Sequence, residues 1–403
     1  MFENVLHQDR VIRRLKLDIT NTTLPAALLF HGEPFSGKLT TALELARVLT
    51  CEQQEAAWGC TCRSCEKQRL LVHPATVMLG NRYFMQEITA CGDVLKRNRE
   101  RFAQYMFVRS VRKLTRRFDA DFSGEGKKSG KTVQLVRKVE ELLEEIGPGM
   151  NIDDEKNLDR VLSGILETCS KISGAFENSS IPIDQIRKAA FWVHTSVEGL
   201  NKVVILENVD QMLTGSKNAL LKTLEEPPEN VYFILITSGK NVLLPTVLSR
   251  VRPYRFIPRD NEASSAILKK IFREKSEEYM SLKDYFQAWD NIDPVLLKNL
   301  AGRITGYLLA ESVSREETAS IVAEVVEAAD RKEFARALIE ETLSRLKTWH
   351  CRAAGSGLTE KPGEVKKLVL WNRLLNDGFR QMDTYNQRPK LVLEHLLYTM
   401  REV

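Results

Sequence analysis

No run of about 18 apolar residues occurs in the 403-residue chain, which excludes a membrane-spanning helix. The opening "MFENVLHQDRVIRRLKLDI" has no apolar signal-peptide core; it is charged and helical in pattern, so a soluble cytoplasmic chain is expected. No charge excess marks a partner, because a net +5 is mild at this length. A spread disulfide framework is missing too. The seven cysteines are odd in number and four fall between Cys51 and Cys65, which points to a reduced compartment with one metal cluster. What remains is ordinary: 43% hydrophobic and 28% charged residues, with chain enough for two or three domains.

Three short apolar runs read as buried strands: "PAALLFHG" (25–32), "NKVVILENVD" (201–210) and "VYFILITS" (231–238). After the first, "KLTTALELARVLT" places Leu39, Ala42, Leu43, Ala46 and Leu49 at helical spacing. After the second, "GSKNALLKTLEEPP" predicts a helix stopped by Pro227 and Pro228. This alternation predicts a parallel, three-layer α/β domain reaching about Pro258. Beyond it the strand signals vanish and amphipathic helices take over. The region from about Arg82 to Ser179 reads as an inserted, helix-rich segment with a flexible centre at "DADFSGEGKKSGKT".

Between the first strand and its helix lies "HGEPFSGKLT" (His31–Thr40). Gly32, Gly37 and Lys38 have the spacing of a phosphate-binding loop. In such a loop, backbone N–H groups and the helix N-terminus surround phosphate and the lysine neutralises it. Leu39 stands where Mg²⁺ would need a hydroxyl ligand. Thr40 is one position on, turned by about 100° around the helix. ATP or ADP binding is doubtful here, and Mg²⁺-dependent hydrolysis is disfavoured. Another stretch, "GEGKKSGKT" (124–132), mimics the motif, but it has the wrong glycine spacing and no preceding strand, and reads as a basic linker.

Cys51, Cys60, Cys62 and Cys65 follow C-x₈-C-x-C-x₂-C, and Cys62 with Cys65 makes a normal zinc knuckle. The short gap between Cys60 and Cys62 is unusual, and His73 is an alternative fourth ligand. The expectation is structural Zn²⁺ on all four cysteines. Cys91, Cys169, His194 and the His350–Cys351 pair lack partners at ligand spacing and are expected to be structural.

Through "FENVLHQDRVIRRLK", the phosphate loop, the cysteine cluster, "NALLKTLEEPP", "VLSR" and "NQRPKLVLEHLLYTM", the chain resembles the AAA+ clamp-loader subunits of bacterial DNA polymerase III. It lies nearest the delta-prime branch, over almost all its length outside the insertion. The resemblance implies an AAA+ P-loop core over 1–258, with a zinc module near 51–65 and the basic insertion near 82–179. A helical lid over 259–314 and a helical collar for oligomerisation over 315–403 would follow. The family's motor subunits carry an acidic pair after the third strand; here it reads Glu207-Asn208, a degenerate Walker B. Thr237 falls at the first sensor position, with Ser238 beside it. The lid arginine should lie in "AGRITGYLLA", where Thr305 occupies its place and Arg303 sits on another helical face.

With Mg²⁺ ligand, catalytic acid and lid arginine all altered, the resemblance implies a non-hydrolysing, delta-prime-like stator. "TVLSRV" resembles the family's Ser-Arg-Cys motif, with Val251 for the cysteine, so Arg250 would reach in trans onto a neighbour's ATP. Implied partners are gamma/tau and delta subunits in a hetero-oligomeric ring, a sliding clamp and primer-template DNA. An active gamma/tau-like ATPase is the rival, and a DNA-binding adaptor a third option. The adaptor would use the run from Lys96 to Arg117, which holds nine Lys or Arg against the single acid Glu100. A solvated helix face is the plainer expectation for that run, whose Phe107, Val111, Leu114 and Phe118 line an apolar stripe.

Overall fold

Side chains alternate across the central sheet, and that alternation builds a layer on each face. The computed structural model describes residues 1–53, 55–80, 82, 84–119, 127–174, 181–195, 201–239, 243–275, 279–289, 292–310, 312–355, 362–383 and 387–402. At 127–129, 351–355, 362–365, 380 and 383 it describes the backbone alone. Five strands, β1 (Ala27–His31), β2 (Thr76–Leu79), β3 (Lys202–Leu206), β4 (Val231–Thr237) and β5 (Arg252–Arg255), form one sheet in the order β2-β3-β4-β1-β5. Every pairing is parallel; Leu28 of β1 lies opposite Ile234 and Arg252. Such strands are covered on both sides, which is why they read as continuous apolar runs.

Leu28, Phe30, Val203, Ile205, Ile234 and Ile236 share a core with Val11 and Leu15 of α1 (Asp9–Thr20) and Leu43 and Leu45 of α2 (Lys38–Leu49). Leu29, Val204, Leu206, Phe233 and Leu235 point the other way. They share the opposite core with Ile186, Ala189 and Val193, and with Leu220 and Leu224. The three-layer expectation is thus met for the sheet.

After α2, the short α3 (Arg63–Arg69) closes the cysteine segment. Between β2 and β3 come α4 (Met85–Asn98), α5 (Arg101–Thr115), α6 (Lys127–Glu145) and α7 (Glu155–Gly174), then α8 (Ile183–His194). Helices α4–α7 bury Ile88, Leu95, Phe107, Val111, Leu114, Leu143, Val161 and Ile165. Phe118, expected on the apolar stripe, is only half-buried, while Arg117 is buried at 2% exposure. The chain tightens into a 3₁₀ turn at Arg116–Phe118, and the larger rotation per residue, at three residues per turn, shifts which side chain faces inward. Residues 127–132 of the stretch that mimics a phosphate loop are helical and open α6; its residues 124–126 lie outside the described residues.

The sheet unit continues through α9 (Thr214–Glu225), the short α10 (Pro245–Leu248) and α11 (Asn261–Ile271) into α12 (Leu282–Ala288), within which it ends. The chain divides into two compact units, 1–286 and 287–403. The second is wholly helical among its described residues: α13 (Pro294–Leu309), α14 (Arg315–Ala328), α15 (Lys332–Gly355), α16 (Pro362–Asp383) and α17 (Pro389–Glu402). Ile304, Tyr307, Leu338, Trp371, Leu393, Leu397 and Met400 make its core. The Trp371 indole donates to Met400 O at 2.6 Å, fixing α16 against α17. No described helix is long and apolar enough to cross a membrane.

Candidate functional site

The phosphate loop forms as its residue types require. Gly32 has φ +148°, and a Cβ there would lie 2.4 Å from Phe256 O. Gly37 has φ +93° and serves as N-cap of α2, a left-handed conformation that side-chain-bearing residues seldom adopt. Lys38 closes the loop on itself. Its Nζ donates to Gly32 O at 2.6 Å, Glu33 O at 2.5 Å and Ser36 Oγ at 3.3 Å. Burial, only partly offset by Asp210, Glu207 and Glu33, pulls the Lys38 amine down to about 8. Leu39 packs against the core beneath α2, and Thr40 is half-buried.

A second cation that sequence reasoning passed over crosses the loop. Arg259, just past β5, donates to Phe35 O at 2.5 Å and Leu6 O at 3.2 Å. Its Nε is buried with no hydrogen-bond partner, and burial lowers its pKa to about 10. Phe35 stacks on Phe286 with ring centroids 5.5 Å apart.

Glu207 follows β3 as expected and is 6% exposed, but it is not free. Arg117 Nη2 donates to its Oε2, and Arg82 Nε lies 3.8 Å from its Oε1. Both arginines also lie over the ring of Phe84. Burial lowers the Arg117 pKa, with Glu207 opposing it. Asn208 adopts a left-handed conformation with φ +53° and starts a 3₁₀ turn. Thr237, fully buried at the end of β4, donates to Asp210 Oδ1 at 2.6 Å. Asp210 was not foreseen; its only sequence signal was an acid three residues past Glu207.

All nine cations of the basic run have partners within this unit. Lys96 pairs with Asp159 at 2.6 Å, Arg97 with Asp93 at 2.6 Å, and Arg99 with Glu155 at 3.4 Å. Arg112 pairs with Glu140 at 2.9 Å, Lys113 with Glu87, Arg116 with Asp119 at 3.6 Å, and Arg117 with Glu207. Arg109 donates to Arg69 O at 2.9 Å, and Arg101 lies 5.8 Å from the Tyr105 ring centre. Arg109, Arg112, Lys113 and Arg117 are thus tied into the fold, whereas Lys96, Arg97 and Arg101 lie exposed, in line with the solvated-face expectation. The acids that pair with it are spread from Glu87 to Glu207, so inspection of the run alone could not reveal them.

The four cysteines converge, their sulfurs all within 4.8 Å of one another. Cys51 Sγ lies 3.8 Å from Cys60 and 4.0 Å from Cys62. Tetrahedral Zn²⁺ with Zn–S near 2.3 Å requires S···S of about 3.8 Å, so the donor set fits zinc despite the short Cys60–Cys62 gap. The Cys62 thiol is brought down to about 7: burial would raise it, but N–H groups of Cys65 and Glu52 donating to its sulfur prevail. His73 is committed elsewhere. Its Nδ1 accepts from Ala75 N at 3.2 Å, so Nε2 carries the proton and meets Ser64 Oγ at 3.0 Å.

Arg47 is the residue the spacing argument missed here. It is buried, paired with Glu44 at 2.7 Å, and donates to Cys65 Sγ at 3.0 Å. Four thiolates leave net negative charge around a metal, and Arg47 compensates it from outside the ligand set. The guanidinium groups of Arg47 and Arg69 lie 5.7 and 5.5 Å from the centre of the Trp58 ring, which ties the loop to α2 and α3.

Arg250 lies on the surface just past α10. Its guanidinium meets Glu225 at 2.8 Å and donates to Thr246 O at 2.8 Å. In the second unit, Thr305 Oγ1 donates back to Ala301 O at 2.7 Å, and Arg303 pairs with Glu324 of α14.

A profile of the family described as "DNA polymerase III, delta subunit" matches residues 7–147 and 153–260, more than half of the chain. DNA polymerase III subunit delta′ of Pseudomonas aeruginosa is 28% identical over 245 residues, covering 54% of this chain and 71% of that protein. Subunit delta′ of Haemophilus influenzae is 33% identical over 103 residues, 25% of this chain and 31% of the relative. Subunit tau of Bacillus subtilis is 32% identical over 111 residues, 28% of this chain and 19% of the relative. The chain thus spans less than a third of the latter two relatives' lengths.

Proposed function

Because the chain belongs to the DNA polymerase III, delta subunit family, we propose that it is a delta-prime-like clamp-loader subunit that does not hydrolyse ATP itself. Its cytoplasmic partners would be gamma/tau-like and delta subunits in a ring that places a sliding clamp on primed DNA. In this reading residues 259–314 act as the lid and 315–403 as the collar. The observation that supports it best is the state of Glu207. The acid after β3 is buried and neutralised by Arg117, and its neighbour Asn208 is an amide. Neither side chain offers a free carboxylate to hold a metal or to activate water.

Arg250 supplies what the subunit gives its neighbour. Its pairing with Glu225 is half-exposed, and such surface pairs are worth at most about 1 kcal/mol. The guanidinium can therefore leave Glu225 for the more highly charged γ-phosphate of an adjacent motor subunit. An arginine finger delivered this way is worth about 10³–10⁵ in phosphoryl transfer. The cysteine module would hold structural Zn²⁺, with all four positions filled by protein.

The test is reconstitution of the loader with motor subunits, clamp and primed DNA. Arg250→Ala should abolish the share of DNA-stimulated ATP hydrolysis contributed by the adjoining motor site. Unchanged hydrolysis would remove the trans role. Hydrolysis by the isolated chain that disappears in Lys38→Ala would instead favour the gamma/tau-like reading.

A further inference from the structure

Phosphate loops that hold Mg²⁺ surround it with hard oxygen donors in near-octahedral array. Leu39, Glu207 and Asp210 stand where such donors would be sought. Leu39 offers no oxygen and packs into the core. Both oxygens of Glu207 face guanidinium groups, Oε2 that of Arg117 and Oε1 that of Arg82. Oδ1 of Asp210 takes the Thr237 hydroxyl. The residues present do not fit the cation that the fold family implies.

They do fit an anion. Gly32 and Gly37 let the backbone curl around the N-terminus of α2, with Lys38 inside the loop and Arg259 laid across it. The guanidinium nitrogens buried without hydrogen-bond partners include Nε of Arg259 and Nη1 of Arg117. Arg117 is itself 2% exposed and contacts the acid whose field reaches Lys38. A guanidinium laid across the loop with its Nε unspent, as in Arg259, is what a polyphosphate would satisfy.

We infer that this loop takes a nucleoside di- or triphosphate without a divalent cation, the guanidinium of Arg117 holding Glu207 in place of Mg²⁺. The inference rests on the reading of the loop as a nucleotide site. Arg117 comes from the 3₁₀ turn after α5, so the helical segment between β2 and β3 supplies the charge that a metal supplies elsewhere. Binding requires the Lys38 amine to exchange the carbonyls of Gly32 and Glu33 for phosphate oxygens. No metal has to be recruited.

The experiment is titration of the full chain with ADP by calorimetry, in EDTA and in Mg²⁺. Wild type should bind with affinities that agree within about twofold. Arg117→Met exposes the Glu207 charge, and its ADP affinity should become at least tenfold weaker in EDTA than in Mg²⁺. With Mn²⁺ alone, spin resonance should detect bound ion in Arg117→Met and none in wild type. Should Arg117→Met fail to fold, Arg117→Met with Glu207→Gln removes both charges and should bind ADP equally in EDTA and in Mg²⁺. Tenfold tightening of wild type by Mg²⁺ would overturn the inference, as would a metal-independent Arg117→Met or a metal-dependent double variant. Absence of ADP binding in either buffer would overturn it too. That last result would leave the arginine-donor role standing, since Arg250→Ala tests it separately.

Discussion

The hydroxyl of Thr237 donates to Asp210 Oδ1 at 2.6 Å, joining the end of β4 to the turn that follows β3. The same hydroxyl oxygen accepts from Gly239 N at 3.0 Å, so one buried side chain holds two segments at the carboxyl edge of the sheet. Thr237→Val keeps the branched shape and deletes both bonds, leaving a carboxylate and an amide short of partners. Such a loss costs about 1–3 kcal/mol. Urea unfolding should register it as a lowered midpoint, with Thr237→Ser close to wild type. Equal midpoints for Val and wild type would show that the bond contributes nothing.

The loop glycines invite a paired prediction. A Cβ on Gly32 meets the backbone oxygen of Phe256 at 2.4 Å, and β5 is paired directly to β1, so neither strand can yield alone. A Cβ on Gly37 meets Arg259 Nη2 at 2.7 Å, the far end of a long side chain. Both have positive φ, at a cost of about 1–3 kcal/mol for a non-glycine residue. Gly32→Ala should therefore destabilise more than Gly37→Ala in thermal unfolding. The reverse order would mean that Arg259 is fixed more rigidly than the sheet.

Local patterns were legible in the sequence, and long-range charge pairing was not. The strands showed as apolar runs because parallel pairing buries both faces. Gly32, Gly37 and Lys38 stood out because a phosphate turn constrains backbone and charge within seven residues. The cysteines stood out for the same reason. Arg117 and Glu207 lie 90 residues apart, and neither has a local pattern that names the other. Arg259 looked like any basic residue after a strand, and Arg47 like one more polar residue in α2. Its burial follows only once the cysteine loop folds over that helix.

Glu87 gives a pH prediction. Lys113 bonds it, and Arg82 Nη2 lies 2.5 Å from its Oε2. Burial acts to raise its carboxyl, but Lys113 and Arg82 prevail and hold it at about 2, below its ordinary 4.5. A carboxyl depressed on folding stabilises fully above its unfolded value. That contribution shrinks as pH falls below about 4.5 and is gone below about 2. Its size is on the order of 3 kcal/mol. Glu87→Gln should lower stability at pH 7 and flatten the acid limb of stability against pH. An acid limb identical to wild type would assign the effect to other carboxylates.

Zinc removal tests the cysteine cluster and the choice between Cys60 and His73. Four sulfurs within 4.8 Å predict one zinc per chain by elemental analysis of protein purified without chelator. Without metal, four thiols have little reason to stay together, and the segment from 51 to 65 should become open to protease while the sheet core persists. Cys60→Ser should cost zinc affinity and make that segment chelator-sensitive. His73→Ala should keep the zinc, because both ring nitrogens serve Ser64 and Ala75. It should lower stability by about 1–3 kcal/mol through lost buried hydrogen bonds. Arg47→Met should also retain the metal but bind it less tightly, since a neutral side chain leaves the thiolate charge uncompensated; losing such support behind the ligands typically costs about 10–100-fold in affinity. Zinc kept by Cys60→Ser and lost by His73→Ala would reverse the ligand assignment.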